Sequence, residues 1–152
     1  VHALLGTPSY GITPGYGQVR ATLRSFTNED IHHLQSWAEE VVIRRAEAAG
    51  LAYEFQYSEI FPATINHPGA FQVLAHSLDT IQASVKHLDE PFRWSEDFGY
   101  YSRDSKTCFF GLGSGVNMPD LHHENYDFPD KIALGGMKVF LAITDHLLGP
   151  SR

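Results

Sequence analysis

The sequence predicts an α/β protein of the α+β kind, in which short strands alternate with amphipathic helices. Apolar and polar side chains alternate, as in half-buried strands, in two stretches: 18–26 and 51–60. Apolar residues recur every three or four positions, as in amphipathic helices, in three stretches: 28–49, 71–88 and 132–147. A short apolar run at 107–112 indicates one further, buried strand.

The first third of the chain is predicted to form a strand, a helix and a second strand. Residues 1–17 are rich in glycine and proline, which favours irregular or hairpin-like backbone before the first strand. Thr27 and Asp30 have the spacing of a helix N-cap and its acidic partner. Gly50 is the residue type that commonly ends a helix, so it is expected to separate the helix from the second strand.

The remainder is predicted to form a helix, a strand and a final helix. Pro91 breaks the helix that starts near residue 71. A further helix start is indicated by three consecutive residues: Ser95, Glu96 and Asp97. Residues 113–129 form a long loop, a length that is usually functional in a compact domain, and Asp130 is placed to cap the last helix. The composition changes near residues 66–69, which predicts two domains, 1–66 and 67–152.

Charge and cysteine content exclude several classes of protein. The net charge is -7 and no run of basic residues exists, which argues against a nucleic-acid or an anionic-membrane partner. No apolar run approaches the roughly 20 residues that span a bilayer. Cys108 is the single cysteine, so the chain has no intrachain disulfide and no cysteine-based zinc site. This fits a cytoplasmic protein, in which Cys108 is a small buried apolar residue.

The densest group of ionisable residues lies in the long loop. It contains two imidazoles and three carboxylates, namely Asp120, His122, His123, Glu124 and Asp127. Imidazole and carboxylate groups bind zinc, cobalt or manganese at hydrolytic centres, although a solvated acidic loop has the same composition. Adjacent histidines generally point in different directions, so at most one is expected to be a ligand. A catalytic zinc takes about three protein ligands, and further ligands must come from elsewhere.

Other candidate residues are less specific. The segment Gly111–Gly115 lacks the pattern of a dinucleotide or phosphate loop, so its glycines are expected to permit close approach of a ligand or a strand. Asn66 and His67 lie on a connection between two prolines, where either a turn or a substrate contact is expected. Three other histidines are isolated on predicted helices and are interpreted as surface or boundary residues: His76, His87 and His146.

Four stretches of the chain, in order, resemble the M20 metallopeptidases, especially the amidohydrolase branch that cleaves N-acyl-amino acids. They are VRATLR at 19–24, FPATIN at 61–66, SEDF and CFFGLG at 95–98 and 108–113, and Leu121-His122 with Tyr126-Asp127-Phe128 and Asp130. The resemblance implies that residues 1–66 are the strand-helix-strand remnant of a ferredoxin-like lid and dimerisation domain. Residues 67–152 would then be the helix-strand-helix end of an α/β catalytic domain.

The resemblance also implies roles for individual residues. His122 would be a metal ligand, Asn66 would lie near the substrate carboxylate or carbonyl, and Gly113 would line the pocket. The cofactor would be divalent zinc, manganese or cobalt, with two ions in the intact enzyme, which this chain need not hold alone. There the metal activates a water molecule and a glutamate takes its proton. The substrate would be an N-acyl-amino acid or small peptide, and the enzyme a homodimer.

Much of the family's machinery has no counterpart in these residues. The other metal ligands, the glutamate pair and a histidine of the lid are absent, and the first half of the lid would precede Val1. We therefore expect a piece of a hydrolase with no catalytic residue of its own, inactive by itself. Two alternatives stay open: a self-standing dimerisation module, and a small-ligand sensor that binds no metal.

Overall fold

A computed structural model describes residues 1–94 and 96–149. The chain divides into two compact units, Val1–Ala63 and Thr64–Arg152. The described elements are, in order, β1 (His2–Leu5), β2 (Gly17–Arg20), α1 (Asn28–Ala48), α2 (Pro68–Thr80), a 3-10 helix (Asp97–Arg103) and α3 (Lys131–Leu148). The predicted α+β class is confirmed, since helices accompany a small antiparallel sheet. None of the described helices is long and apolar enough to cross a membrane.

The first strands form the hairpin that the glycine-rich start predicts. β1 and β2 pair antiparallel, with His2 opposite Arg20 and Leu5 opposite Gly17. The N–H of Gly6 donates to the carbonyl of Tyr16 at 2.8 Å and extends this ladder by one bond. The predicted strand 18–26 is too long, because the register already pairs Arg20 with His2 and little of β1 remains to pair with later residues.

Helix α1 begins and ends where its local signals predict. The Thr27 hydroxyl oxygen accepts the N–H of Asp30 at 3.0 Å, and the hydroxyl donates to the Asp30 carboxylate at 2.8 Å. At the other end Gly50 has a φ of 65°. The N–H of Leu51 donates to Ala46 at 2.9 Å, and that of Gly50 to Glu47 at 3.1 Å. These two bonds form a Schellman motif, for which glycine is the favoured residue.

Residues 51–60 are not paired as a strand, so that prediction is wrong. Side chains two positions apart do meet on one face, as the alternation requires: the rings of Tyr53 and Phe55 lie 5.8 Å apart. On the other face Gln56 donates to Glu54 at 3.0 Å. A strand, however, also needs a neighbouring strand for its backbone groups. The described residues provide none beside this segment.

The same segment instead runs back along α1. The Tyr57 hydroxyl donates to the Glu39 carboxylate on the helix. Further on, the N–H of Ala63 donates to the side-chain oxygen of Asn28 at 2.7 Å, at the first turn of α1. The side chains of Asn28 and Glu39 on α1 therefore hold the segment that follows the helix along its side.

Helix α2 ends at Thr80, eight residues before the end that its apolar spacing predicts. Gln82 adopts a φ of 53°, and its N–H donates to Asp79 at 2.9 Å. The N–H of Ala83 donates to Leu78 at 2.9 Å. This is the same Schellman motif as at Gly50, formed here by a residue whose Cβ disfavours it. The apolar spacing continues beyond Gln82, but the helix does not.

The second unit ends in a helix that packs on α2. α2 and α3 are in contact, and the buried side chains there include Leu74, Ser77 and Val139. The predicted cap at Asp130 is wrong, because its backbone is already helical (φ -44°, ψ -30°) and its carboxylate caps no N–H. The predicted cap at Ser95 lies outside the described residues, and the 3-10 helix begins just after it, at Asp97.

Candidate functional site

Asn66 ties two distant parts of the second unit together. Its side-chain N–H donates to the carbonyl of Phe109 at 3.0 Å, and its side-chain oxygen accepts the N–H of Phe109 at 2.7 Å. The adjacent N–H of His67 donates to the carbonyl of Thr107 at 2.8 Å. The predicted strand 107–112 is therefore not formed, because its backbone pairs with the connection before α2 rather than with another strand.

His67 has a structural role that the sequence analysis did not identify. It is the N-cap of α2, and its Nδ1 accepts the N–H of Gly69 at 3.0 Å. Pro68 follows at the first helical position, where its missing N–H costs nothing. The proline after a polar residue was the available sequence signal, since helix starts favour this order.

The three glycines near residue 112 differ in what surrounds them. A Cβ on Gly111 would lie 2.9 Å from the ring of Phe92, so the ring can pack here only on glycine. Gly136 on α3 lies under the Leu112 side chain, 3.3 Å from where its Cβ would be. Gly113 has no atom within 4 Å of that position, so its backbone faces open space. The close neighbour of Gly111 is thus an aromatic side chain rather than the expected ligand or strand, and Gly113 stays accessible.

His122 occupies an unusual backbone position in the loop 113–129. Its φ is 71°, a left-handed value that only a few per cent of non-glycine residues adopt. It is the third residue of a turn closed by the N–H of His123, which donates to Asp120 at 3.0 Å. Glycine or asparagine normally fills such a position. The His122 side chain is exposed and has no hydrogen-bond or ionic partner among the described residues.

The side chain of the neighbouring residue, His123, is already hydrogen-bonded. Nδ1 of His123 accepts the N–H of Asn125 at 3.1 Å, and its carbonyl accepts the N–H of Tyr126 at 2.9 Å. Across residues 1–94 and 96–149, no three side chains of His, Cys, Asp or Glu come together as a metal site. The imidazoles and carboxylates of the loop therefore do not form a complete ligand set in the described residues.

The predicted site residues lie on one unit but are not joined to each other. Asn66 contacts the backbone four residues before Gly113, at the start of the same segment. No hydrogen bond among the described residues links His122 to either of them. Cys108 is partly buried in this segment, and burial raises the pKa of its thiol, which suits a packed side chain rather than a nucleophile.

Comparison with known proteins now identifies the family. The profile of peptidase family M20/M25/M40 matches residues 3–146, nearly the whole chain. The chain belongs to this family. The M20 chain is thus a member of a family of hydrolases, and the resemblance seen in its four sequence stretches is confirmed.

Three relatives are similar to the chain over nearly all of its residues but over only part of their own length. The protein YhaA of Bacillus subtilis, named as an amidohydrolase, is 32% identical over 134 residues, which are 84% of this chain and 34% of YhaA. An uncharacterized hydrolase of Staphylococcus epidermidis is 24% identical over 89% of this chain and 36% of its own length. A Rhodococcus jostii protein named as a glutamate–cysteine ligase is 23% identical over 86% of this chain and 17% of its own.

The M20 chain therefore spans about a third of the length of the first two curated relatives. No solved structure matches it.

Proposed function

We propose that this chain is part of a metal-dependent amidohydrolase or peptidase that hydrolyses the amide bond of N-acyl-amino acids or small peptides. The observation that supports it is the backbone of His122 in a chain of the M20 family. A left-handed conformation at a bulky residue costs free energy, and such positions concentrate at functional sites. The imidazole it presents is exposed, unpaired among the described residues and surrounded in sequence by carboxylates.

In this proposal His122 supplies one nitrogen ligand to a divalent ion of zinc, manganese or cobalt. Zinc takes about three protein ligands at a catalytic centre, and the described residues bring no such group together. The residues present thus do not fit a complete site, and the other ligands come from sequence outside this chain. The 152 residues are then inactive by themselves.

Asn66 and Gly113 supply the substrate side of the same proposal. An asparagine side chain offers two N–H donors and an oxygen with two lone pairs, and Phe109 engages one of each on Asn66. The second N–H of the Asn66 side chain is left for a substrate carboxylate or carbonyl. The two bonds to Phe109 keep that side chain in place. The open space at Gly113 leaves its backbone accessible to the same ligand.

The test joins a hydrolysis assay to residue-resolved metal binding. The purified chain is incubated with a panel of N-acetyl-amino acids and dipeptides plus zinc, manganese or cobalt, and its imidazole nitrogens are followed by NMR as zinc is added. We expect no turnover, and a zinc-induced shift at His122 but not at His123, whose Nδ1 is hydrogen-bonded. Turnover that His122→Ala abolishes would contradict the incomplete site, and an unshifted His122 would contradict its role as a ligand.

A second candidate function is a non-catalytic dimerisation module, and one observation favours it. Two strands alone leave both outer sheet edges without a strand partner among the described residues. Leu5 and Val19, on these strands, are 72% and 74% exposed. A homodimer paired at this edge is compatible with either function. Sedimentation velocity of the chain and of Val19→Lys tests it: the dimer is expected to dissociate in the variant, and a monomeric parent chain would contradict it.

A further inference from the structure

Two histidines that the sequence places on separate helices meet in the second unit. His76 lies on α2 and His146 in the last turn of α3, and these helices pack together. The centroids of the two imidazole rings are 4.6 Å apart, with an angle of 47° between the ring planes. Both rings line an open groove of about 430 Å³.

The groove is lined by the last turns of α2 and α3 and extends back along α3 to Lys138. Thr80 and Ile81, which end α2, line it together with Asp145 from the last turn of α3. The carbonyl end of a helix carries roughly half a negative charge, so the last turn of α3, which contains His146, favours a cation. The ammonium group of Lys138, also in the groove, works against a bound cation.

The spacing of the rings fits two ligands of one metal ion. Zinc is tetrahedral and binds an imidazole nitrogen at about 2.0–2.1 Å, so two imidazoles on one ion have centroids roughly 5 Å apart, close to the observed 4.6 Å. Both histidines are exposed, and the torsion that rotates an imidazole ring has a broad minimum, so their nitrogens can turn toward a shared ion. Imidazole suits zinc, copper and nickel in particular.

From this geometry we propose that His76 and His146 form a binding site for a divalent transition-metal ion that links α2 to α3. Within the described residues no third His, Cys, Asp or Glu completes a metal group, so water fills the other coordination positions. The site shares no residue with the loop that carries His122. An ion that binds only the folded arrangement of the two helices stabilises the second unit.

Thermal unfolding with and without zinc chloride tests the site in the whole chain. We expect zinc, at about 100 times its dissociation constant, to raise Tm by at least about 4 °C. His76→Ala and His146→Ala should each abolish the rise, and the double variant should lose no more than either single one, because one ligand cannot bridge two helices. Calorimetric titration should show at least about tenfold weaker zinc binding in each single variant.

Two controls distinguish zinc bound in this groove from zinc bound elsewhere on the chain. His122→Ala removes another exposed histidine, and the zinc-induced rise should persist in it; a rise lost in this variant alone would overturn the proposal. Magnesium chloride, an ion that prefers oxygen ligands, should have no effect. If His76→Ala and the parent chain show equal rises with zinc, or neither shows one, the two rings are an aromatic contact and the proposal is wrong.

A substitution of Lys138 should raise the zinc affinity of the groove, whereas the histidine substitutions lower it. Lys138→Gln removes the positive charge that lines the groove and keeps a side chain of similar reach. Zinc should bind this variant a few times more tightly than the parent chain at low ionic strength, and the gain should shrink as salt is added. Unchanged or weaker binding would contradict the placement of the cation in this groove.

Discussion

The two units of the chain hold their residues in place in different ways. In Val1–Ala63, where every residue is described, Ala46 alone is buried. That unit relies on a strand pair, helix caps and surface hydrogen bonds such as Tyr57 to Glu39. The second unit buries Leu74 and Val139 where α2 and α3 pack, and it has the double bond from Asn66 to Phe109. The second unit thus buries more side chains, while both units contain long-range hydrogen bonds at the surface.

This difference indicates where substitutions matter. In the first unit, replacing most apolar side chains should change the free energy of unfolding little, because those side chains already contact water in the folded chain. In the second unit two apolar side chains, Leu74 and Val139, are buried and carry packing energy. The candidate residues Asn66, Gly113 and His122 belong to this unit. Of these three, only Asn66 has a side chain that its surroundings hold in place, through the two bonds to Phe109.

Matched leucine substitutions should show the largest contrast. Leu74, on α2, is 5% exposed, and Leu51 in the first unit is 65% exposed. Leu74→Ala should lower the free energy of unfolding of the second unit by about 2–3 kcal/mol, since it removes buried methyl groups and leaves a cavity. Leu51→Ala should change the first unit by no more than about 0.5 kcal/mol. Amide hydrogen exchange measures both units separately, and equal effects would contradict the comparison.

Loss of the two hydrogen bonds between Asn66 and Phe109, called here the Asn66 clamp, should have the next largest effect on stability. Asn66→Ala removes two hydrogen bonds and should destabilise the second unit by about 1–2 kcal/mol, with faster exchange of the Phe109 amide. Asn66→Asp keeps the acceptor for the Phe109 N–H but sets a carboxylate against its carbonyl, so it should not restore the clamp. Asn125→Ala is the control, because only the backbone N–H of Asn125 is bonded among the described residues. Unaltered Phe109 exchange in Asn66→Ala would show that the clamp is dispensable.

The two Schellman motifs allow a test with opposite signs. Gly50 follows the end of α1 in the first unit, and Gln82 follows the end of α2 in the second. Both residues have a left-handed φ. Gly50→Ala should destabilise its unit by about 1 kcal/mol, because an added Cβ is unfavourable there. Gln82→Gly should stabilise the second unit by up to about 1 kcal/mol, as the penalty disappears. Helix content and unfolding curves would show both, and matching signs would refute the argument.

The smallest effect is expected from the Tyr57–Glu39 contact of the first unit. Hydrogen bonds from Gln35 and Tyr57 hold the pKa of Glu39 below its ordinary value, and the bond to Glu39 raises the pKa of Tyr57. The contribution of Glu39 is present above the unfolded pKa of about 4.3 and is lost as pH falls through the lowered folded value. The contribution of Tyr57 to stability is present below its unfolded pKa of about 10. It is lost as pH rises through the raised pKa of the folded state.

Tyr57→Phe should therefore flatten the stability profile slightly at both extremes of pH. Tyr57 is exposed and Glu39 is only partly buried, so the change is small. Tyr53→Phe removes a nearby hydroxyl that makes no bond to a described residue and should leave the profile unaltered. An identical profile for Tyr57→Phe and the parent chain would contradict the pKa shifts.

The sequence predicts the fold well where the signals are local. The ends of α1 follow from Thr27 with Asp30 and from Gly50, because capping depends on residues within one turn. The end of α2 could not be predicted, since Gln82 in a left-handed conformation has no sequence signature. Alternation at 51–60 correctly predicts side chains on two faces, but strand pairing depends on a partner that no local window contains.

For the candidate site, residue types were predictable and their partners were not. The loop position and chemistry of His122 are readable from sequence, but its backbone conformation is not. The bond from Asn66 to Phe109 and the meeting of His76 with His146 join residues far apart in the chain, which only the packed structure brings together. The domain boundary after residue 66, the homodimer and the cytoplasmic setting stay predictions.

Calorimetric titration with zinc and manganese tests most directly the claim that this M20 chain contributes one loop ligand to a larger metal site. The parent for this measurement carries His76→Ala and His146→Ala, so that the loop is measured alone, and it is compared with the same chain carrying His122→Ala. The account predicts weak binding that the further substitution removes, as one imidazole without other protein ligands provides. Sub-micromolar binding that depends on His122 would mean a self-contained site, and binding indifferent to His122 would mean a different ligand; either contradicts the account.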